Sequence, residues 1–203
     1  FELVQMFGDV PLITQVPHRM FQKIARGRGT TLGRARDYAV GMFFFTSDAA
    51  AQMRAFEETA KREGMEVLLW RPVPVHPEML GDAALRAMPH IHQCLIPRPE
   101  GAAPGLDFDR RLYALRRLYE KADTGAYVCS LSCRTLVYKG MMLVHQLRQF
   151  YEDLNDPDYE SALALVHSRF STNTDPSWPR AHPHRALLHN GEINTIRGNA
   201  DIM

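Results

Sequence analysis

Two runs decide the fold: Tyr127-Val128-Cys129-Ser130-Leu131-Ser132 and Thr135-Leu136-Val137-Tyr138-Lys139-Gly140. Both are rich in β-branched and aromatic residues, and only Cys133-Arg134 separates them. That pattern predicts two short strands paired with each other. A strand pair so closely spaced argues against a purely parallel sheet, whose connections need a dozen residues or more. Upstream, Tyr38 to Phe45 is a continuous apolar run, the signature of a buried strand. Thr46-Ser47-Asp48 then offers capping side chains, Ala49 to Glu63 predicts a helix, and Gly64 closes it. Met65 to Trp70 predicts the next strand, giving a β-α-β order that fits a crossover or a mixed layer. Further strands are expected over 10–17, 91–96, 162–170 and 185–189, with helices over 110–121 and 143–151. In the first of these helices Leu112, Leu115, Leu118 and Tyr119 recur at helical spacing. Residues 26–37, with four arginines and three glycines, predict a mobile loop. Its Gly27, Gly29 and Gly33 are spaced one residue too widely for a dinucleotide-binding loop. Prolines 72, 74 and 77 mark an edge or a connection, and 97–105 reads as a loop or a domain joint. The sum is a layered, mixed α+β architecture.

Composition narrows the function. The 203 residues carry 24 Lys+Arg against 23 Asp+Glu, a net charge of +1, so the chain as a whole is no polyanion binder and no nucleic-acid partner is expected. No apolar stretch approaches the length of a membrane span, and no basic-then-apolar leader opens the sequence. Phe1 at the start and the uncapped Asn199 to Met203 at the end are expected of a piece of a longer chain, with a processed mature protein as the competing reading. Residues 1–203 would form part of one domain. Three cysteines, Cys94, Cys129 and Cys133, lack the spacing of a zinc site and fit a reducing compartment.

The chemistry concentrates between His167 and Asn199. In Leu187-Leu188-His189-Asn190-Gly191-Glu192 an apolar run ends in Asn-Gly, the most turn-prone of dipeptides. The plain reading is a tight turn. The functional reading is an oxyanion site: the Asn190 amide and the Gly191 N–H aim at one spot, as acyl transfer requires. In His167-Ser168-Arg169-Phe170-Ser171-Thr172 the arginine follows an apolar strand. It is either a surface residue or a bidentate clamp for a carboxylate. Ser171 and Thr172 would then meet an ammonium group, and the pair of charges describes an α-amino acid. His182-x-His184 with His189 lacks a supporting carboxylate, so no metal site is expected. His90-x-His92 reads as a half-exposed strand, and Trp178, beside Pro176 and Pro179, as a packing plug.

These segments together resemble the glutaminase domain of the glutamate synthases. The resemblance is carried by Ser130-Leu131-Ser132-Cys133-Arg134-Thr135, Val137-Tyr138-Lys139-Gly140-Met141, Phe150-Tyr151, Asp156-Pro157, Glu160-Ser161-Ala162, Arg169-Phe170-Ser171-Thr172-Asn173-Thr174, Pro176-Ser177-Trp178, Ala181-His182-Pro183 and His189-Asn190-Gly191-Glu192-Ile193-Asn194. It implies an N-terminal-nucleophile hydrolase, a four-layer α-β-β-α sandwich, here incomplete at both ends. By the same resemblance Arg169 binds the glutamine carboxylate, Asn190 and Gly191 form the oxyanion pair, and Phe170, Thr172 and His182 line the pocket. An N-terminal cysteine attacks the glutamine amide with its own α-amine as base. Ammonia then passes to 2-oxoglutarate at a distant site. A flavin mononucleotide and an iron–sulfur cluster belong to the rest of the chain, with no cofactor in these residues. Electrons come from a small NADPH-oxidising subunit or ferredoxin, and the compartment is cytoplasm or plastid stroma.

The sequence departs from the family at its start, where Phe1 stands in place of a cysteine. Position 168 is Ser where Gln is usual. An amidotransferase-like domain without its nucleophile, which binds an amino acid or serves assembly, is the alternative reading. These 203 residues alone are therefore expected not to hydrolyse glutamine. Glutamate release from glutamine by the isolated piece, abolished by Arg169→Ala, would overturn that expectation.

Overall fold

The computed structural model describes residues 10–167, 176–181 and 185. Among these described residues seven strands and five α-helices follow one another as β1 (Val10–Gln15), α1 (His18–Gly27), β2 (Tyr38–Phe45), α2 (Ala49–Arg62), β3 (Leu69–Pro72), α3 (Asp82–Arg86), β4 (His90–Pro97), α4 (Leu106–Lys121), β5 (Tyr127–Ser132), β6 (Thr135–Gly140), α5 (Val144–Phe150) and β7 (Ala164–Val166). They build two antiparallel sheets, ordered β3-β4-β2-β5 and β6-β1-β7.

The run 38–45 is the central strand because both its faces are covered. Every residue of β2 is buried. Tyr38, Val40, Met42 and Phe44 enter the core shared by the two sheets, with Leu136 and Tyr138 of β6. The alternate Ala39, Phe43 and Phe45 meet Phe56 and Ala60 of α2 and Phe108, Leu112, Leu115 and Tyr119 of α4. Helices, sheet and sheet are thus three stacked layers. On the second sheet Ile13, Val137 and Lys139 alternate with the inward set and are buried as well, as a four-layer sandwich requires. Gly41 in β2 admits no side chain: a Cβ there would lie 2.4 Å from the Phe43 ring and 2.8 Å from Cys94 Sγ.

Local signals act where they are expected. The Asp48 side chain caps α2 by accepting from the Ala51 N–H at 3.1 Å. Gly64 follows that helix at φ +70°, a conformation that favours glycine. Because β3 and β2 are each antiparallel to β4, they are parallel to each other, so β2-α2-β3 is a crossover over β4. β3 is an edge strand ending in Pro72.

The structure differs from the sequence reading in several places. β5 and β6 do not pair with each other; β5 pairs with β2 and β6 with β1, in different sheets. The corner between them is held by Asp109 of α4, which accepts from Ser132 Oγ at 3.0 Å and the Cys133 N–H at 2.9 Å, and binds Arg134. The strand expected at 65–70 runs from Leu69 to Pro72, because Met65 is buried beneath α2. α4 begins at Leu106, which brings Phe108 into the core, whereas Leu118 is exposed. α1 was not expected. Its N-cap is Pro17, which makes no side-chain cap, so the usual start signal is missing. Of the two late strands, the first is three residues long among the described residues, and the second lies outside them except for Arg185.

A closed ring of polar side chains crosses the inter-sheet core. Arg71 donates through Nε and Nη2 to Gln93 Oε1 at 2.9 and 2.7 Å. Gln93 Nε2 donates to Tyr138 Oη at 3.1 Å, and Tyr138 donates to Asp153 Oδ2 at 2.7 Å. Arg71 pairs with that same carboxylate oxygen. All four residues are buried. Asp153→Ala leaves the Arg71 guanidinium without its counter-charge and is expected to lower unfolding stability by roughly 3–5 kcal/mol, read by urea denaturation. An unchanged midpoint would show that the ring is not a structural tie.

Candidate active site

The residues that the sequence singles out for glutamine chemistry, Arg169, Phe170, Ser171, Thr172, His182, Asn190 and Gly191, all lie outside the described residues. The structure describes what fastens their segment to the sheets. β7 lies antiparallel to β1, with Leu12 opposite Val166, and the His167 N–H donates to Pro11 O at 3.3 Å. This brings the chain to the threshold of Ser168 along the edge of the second sheet.

The next fixed point is the turn 176–181. The N–H groups of Arg180 and Ala181 both donate to Ser177 O at 3.0 Å. Trp178 is 1% exposed and donates from Nε1 to Ala84 O of α3 at 3.0 Å. Its ring meets Phe44 edge-on at 5.6 Å and Phe150 at 5.7 Å. Gly140, where β6 ends, lets it in: a Cβ there would sit 2.5 Å from the indole. Trp178 is the packing plug expected, and the plug fits a hollow made by a glycine.

Beside it, two cations converge on Tyr127. Lys139 is 1% exposed, and its Nζ donates to Tyr127 Oη at 2.9 Å and to Pro179 O at 2.8 Å. The same ammonium lies 4.4 Å from the Tyr127 ring centroid. Arg185 lies 5.3 Å from that centroid and donates through Nε and Nη2 to Val128 O at 3.1 and 2.6 Å. Its Nη2 also stands 3.4 Å from Glu120. Burial raises the Tyr127 phenol well above its ordinary pKa, so it remains neutral.

The three cysteines are buried and form no disulfide. Burial pushes the Cys129 thiol up to about 12, despite the charges of Lys139 and Arg185 nearby. Cys133 is pushed up to about 12 by burial and by Asp109. Cys94 is raised further by burial. None is a ready nucleophile, since the thiolate is the reactive form. Among the described residues no three His, Cys, Asp or Glu side chains are placed to hold one metal ion. His90 is exposed and His92 half-buried on β4, as expected of that strand. No described helix is long and apolar enough to cross a membrane.

Lys139 and Arg185 escape sequence reasoning, because a lysine in a strand and an arginine near its predicted start read as solvent-facing. The available signal was the alternation of β6, which puts Lys139 on the same face as the buried Val137.

The family described as class II glutamine amidotransferases matches residues 6–203. The ferredoxin-dependent glutamate synthase 2 of a Synechocystis strain is 44% identical over 196 residues, covering 95% of this chain and 12% of that protein. The large chain of the NADPH glutamate synthase of Bacillus subtilis is 40% identical over 199 residues, or 95% of this chain and 13% of that protein. The NADH glutamate synthase of Schizosaccharomyces pombe is 42% identical over 203 aligned positions, 95% of this chain and 10% of that protein. The chain therefore spans 10–13% of the length of these curated relatives.

The raised thiols set a chemical test. In the folded protein at neutral pH, Cys94, Cys129 and Cys133 are expected to resist iodoacetamide, with alkylation at least about a hundredfold slower than after denaturation. Mass mapping of the labelled peptides reads the result, and rapid labelling of any of the three would contradict their burial.

Proposed function

The chain belongs to the class II glutamine amidotransferases, and on that premise we propose that it is the glutaminase part of a glutamate synthase. The observation that carries this reading is the similarity to glutamate synthases at 40–44% identity across 95% of the chain. In the proposed reaction the guanidinium of Arg169 grips the α-carboxylate of glutamine, and Ser171 and Thr172 receive its ammonium group. Phe170 and His182 line the pocket. A cysteine thiolate adds to the side-chain amide carbon, and the oxyanion rests on the Asn190 amide and the Gly191 N–H. The C–N bond then breaks, ammonia leaves with a proton, and a thioester remains. Water cleaves the thioester to release glutamate and regenerate the thiol.

The described thiols are buried and protonated, so the proposal assigns the nucleophile to a cysteine other than Cys94, Cys129 and Cys133, at a chain start where its α-amine can act as base. Ammonia is passed on to 2-oxoglutarate at a separate site. The electron donor is ferredoxin or a pyridine-nucleotide-oxidising subunit. Flavin mononucleotide and an iron–sulfur cluster supply the redox chemistry from other parts of the polypeptide. The compartment is a cytoplasm or a plastid stroma.

The second reading is an amidotransferase-like binding domain without chemistry. The native full-length protein separates the two. A mature start at cysteine, glutaminase turnover, and a KM for glutamine raised about a hundredfold by Arg169→Ala are expected; that factor is the roughly 2–3 kcal/mol of a charge-assisted pair. A mature start at another residue, with no turnover, would leave the binding-domain reading.

A further inference from the structure

We propose that Lys139 and Arg185, both seated on Tyr127, are positioning residues that latch the glutamine-binding segment to the sheets; this rests on the proposed glutaminase function. The two contacts are reciprocal. Lys139 belongs to the sheet, and its ammonium takes a main-chain carbonyl of the segment, Pro179 O, at 2.8 Å. Arg185 belongs to the segment, and its guanidinium takes a main-chain carbonyl of the sheet, Val128 O, with two N–H groups at 3.1 and 2.6 Å. Tyr127 lies between Ala126 and Val128 at the start of β5 and serves both cations. Glu120 of α4 offsets the charge at Arg185.

Burying an ammonium costs several kcal/mol unless its protons find acceptors. An apolar residue at position 139 would pack without that cost. What the lysine provides that an apolar residue does not is a hold on the backbone of the 176–181 turn. Contacts to main-chain oxygens fix where the chain runs, whatever side chains it carries. His182 lies between the two latched points, Pro179 and Arg185. Thr172 precedes the first, and Asn190 and Gly191 follow the second. Trp178, plugged against Gly140 and bonded to Ala84 O, closes the same corner from the core side. The latch thus fixes the chain at Pro179 and at Arg185, the two points from which the residues proposed to grip the substrate extend. A small misplacement of such groups weakens substrate binding before it alters the reacting atoms.

The test uses the full-length protein and three variants: Lys139→Met, Tyr127→Phe and Arg185→Gln. Glutaminase kcat and KM, glutamine binding by calorimetry, and thermal unfolding are measured on each. In folded variants the expected result for Lys139→Met and Arg185→Gln is a KM and a Kd for glutamine raised about tenfold, with kcat within about threefold of the parent. Tyr127→Phe, which keeps the ring and loses the acceptor, is expected to lie between them and the parent. Folded variants with unchanged KM and Kd, or with a fall in kcat alone, would overturn the latch. Should Lys139→Met fail to fold, Arg185→Gln decides, because that side chain is 28% exposed and its loss leaves the core intact. A parent protein that binds glutamine without turning it over defeats the glutaminase reading, while the Kd shift still judges the latch. A parent that does neither defeats both.

Discussion

The buried ring of Arg71, Gln93, Tyr138 and Asp153 is the constraint on which the two-sheet arrangement depends. Polar groups in an apolar core are tolerated only as a complete set, because each unmet donor or acceptor costs about 1–3 kcal/mol. Here the set is complete and comes from β3, β4, β6 and the turn after α5. Gln93 fixes its sense: the amide oxygen takes both Arg71 donors and the amide nitrogen serves Tyr138, so the amide has one acceptable orientation. Sliding either sheet by one residue would open the ring and bury a charge alone. Arg71 also lies 5.8 Å from the Phe21 ring, which draws α1 to the same place.

Strand parity carries that constraint outward. Tyr138 points into the ring, so Lys139 must point to the opposite face of β6. Gly140 then turns back toward the core, where its missing side chain admits Trp178. Three consecutive residues of one strand therefore join the sheets, hold the Pro179 carbonyl and seat the plug. The Tyr-Lys-Gly sequence is explained by these three contacts.

Legibility in the sequence followed the range of the deciding interaction. β2 and α2 were readable because their signals are local: an unbroken apolar run, a capping Asp48 and a terminal Gly64. The pairing of β5 and β6 was misread because two short runs separated by two residues look like a hairpin. What sends them to different sheets is Asp109, 24 residues before Cys133, and no local pattern displays that. α1 was missed for want of a cap, although Met20, Phe21 and Ala25 give it a buried face. The family was legible in ordered motifs along the last third of the chain. The residues proposed to bind glutamine are named from those motifs and lie outside the described residues, whereas the roles of Lys139 and Arg185 come from their contacts, with strand alternation the one local sign at Lys139.

The buried charges are answered within the fold. Arg71 is matched by Gln93 and Asp153, Lys139 by Tyr127 and Pro179 O, and Arg185 by Val128 O and Glu120. Each of these three cations already has acceptors within the fold, so a carboxylate from solution gains little by displacing them. The cysteines follow the same logic in reverse. Burial keeps Cys94, Cys129 and Cys133 protonated, so none of the three presents a thiolate at neutral pH.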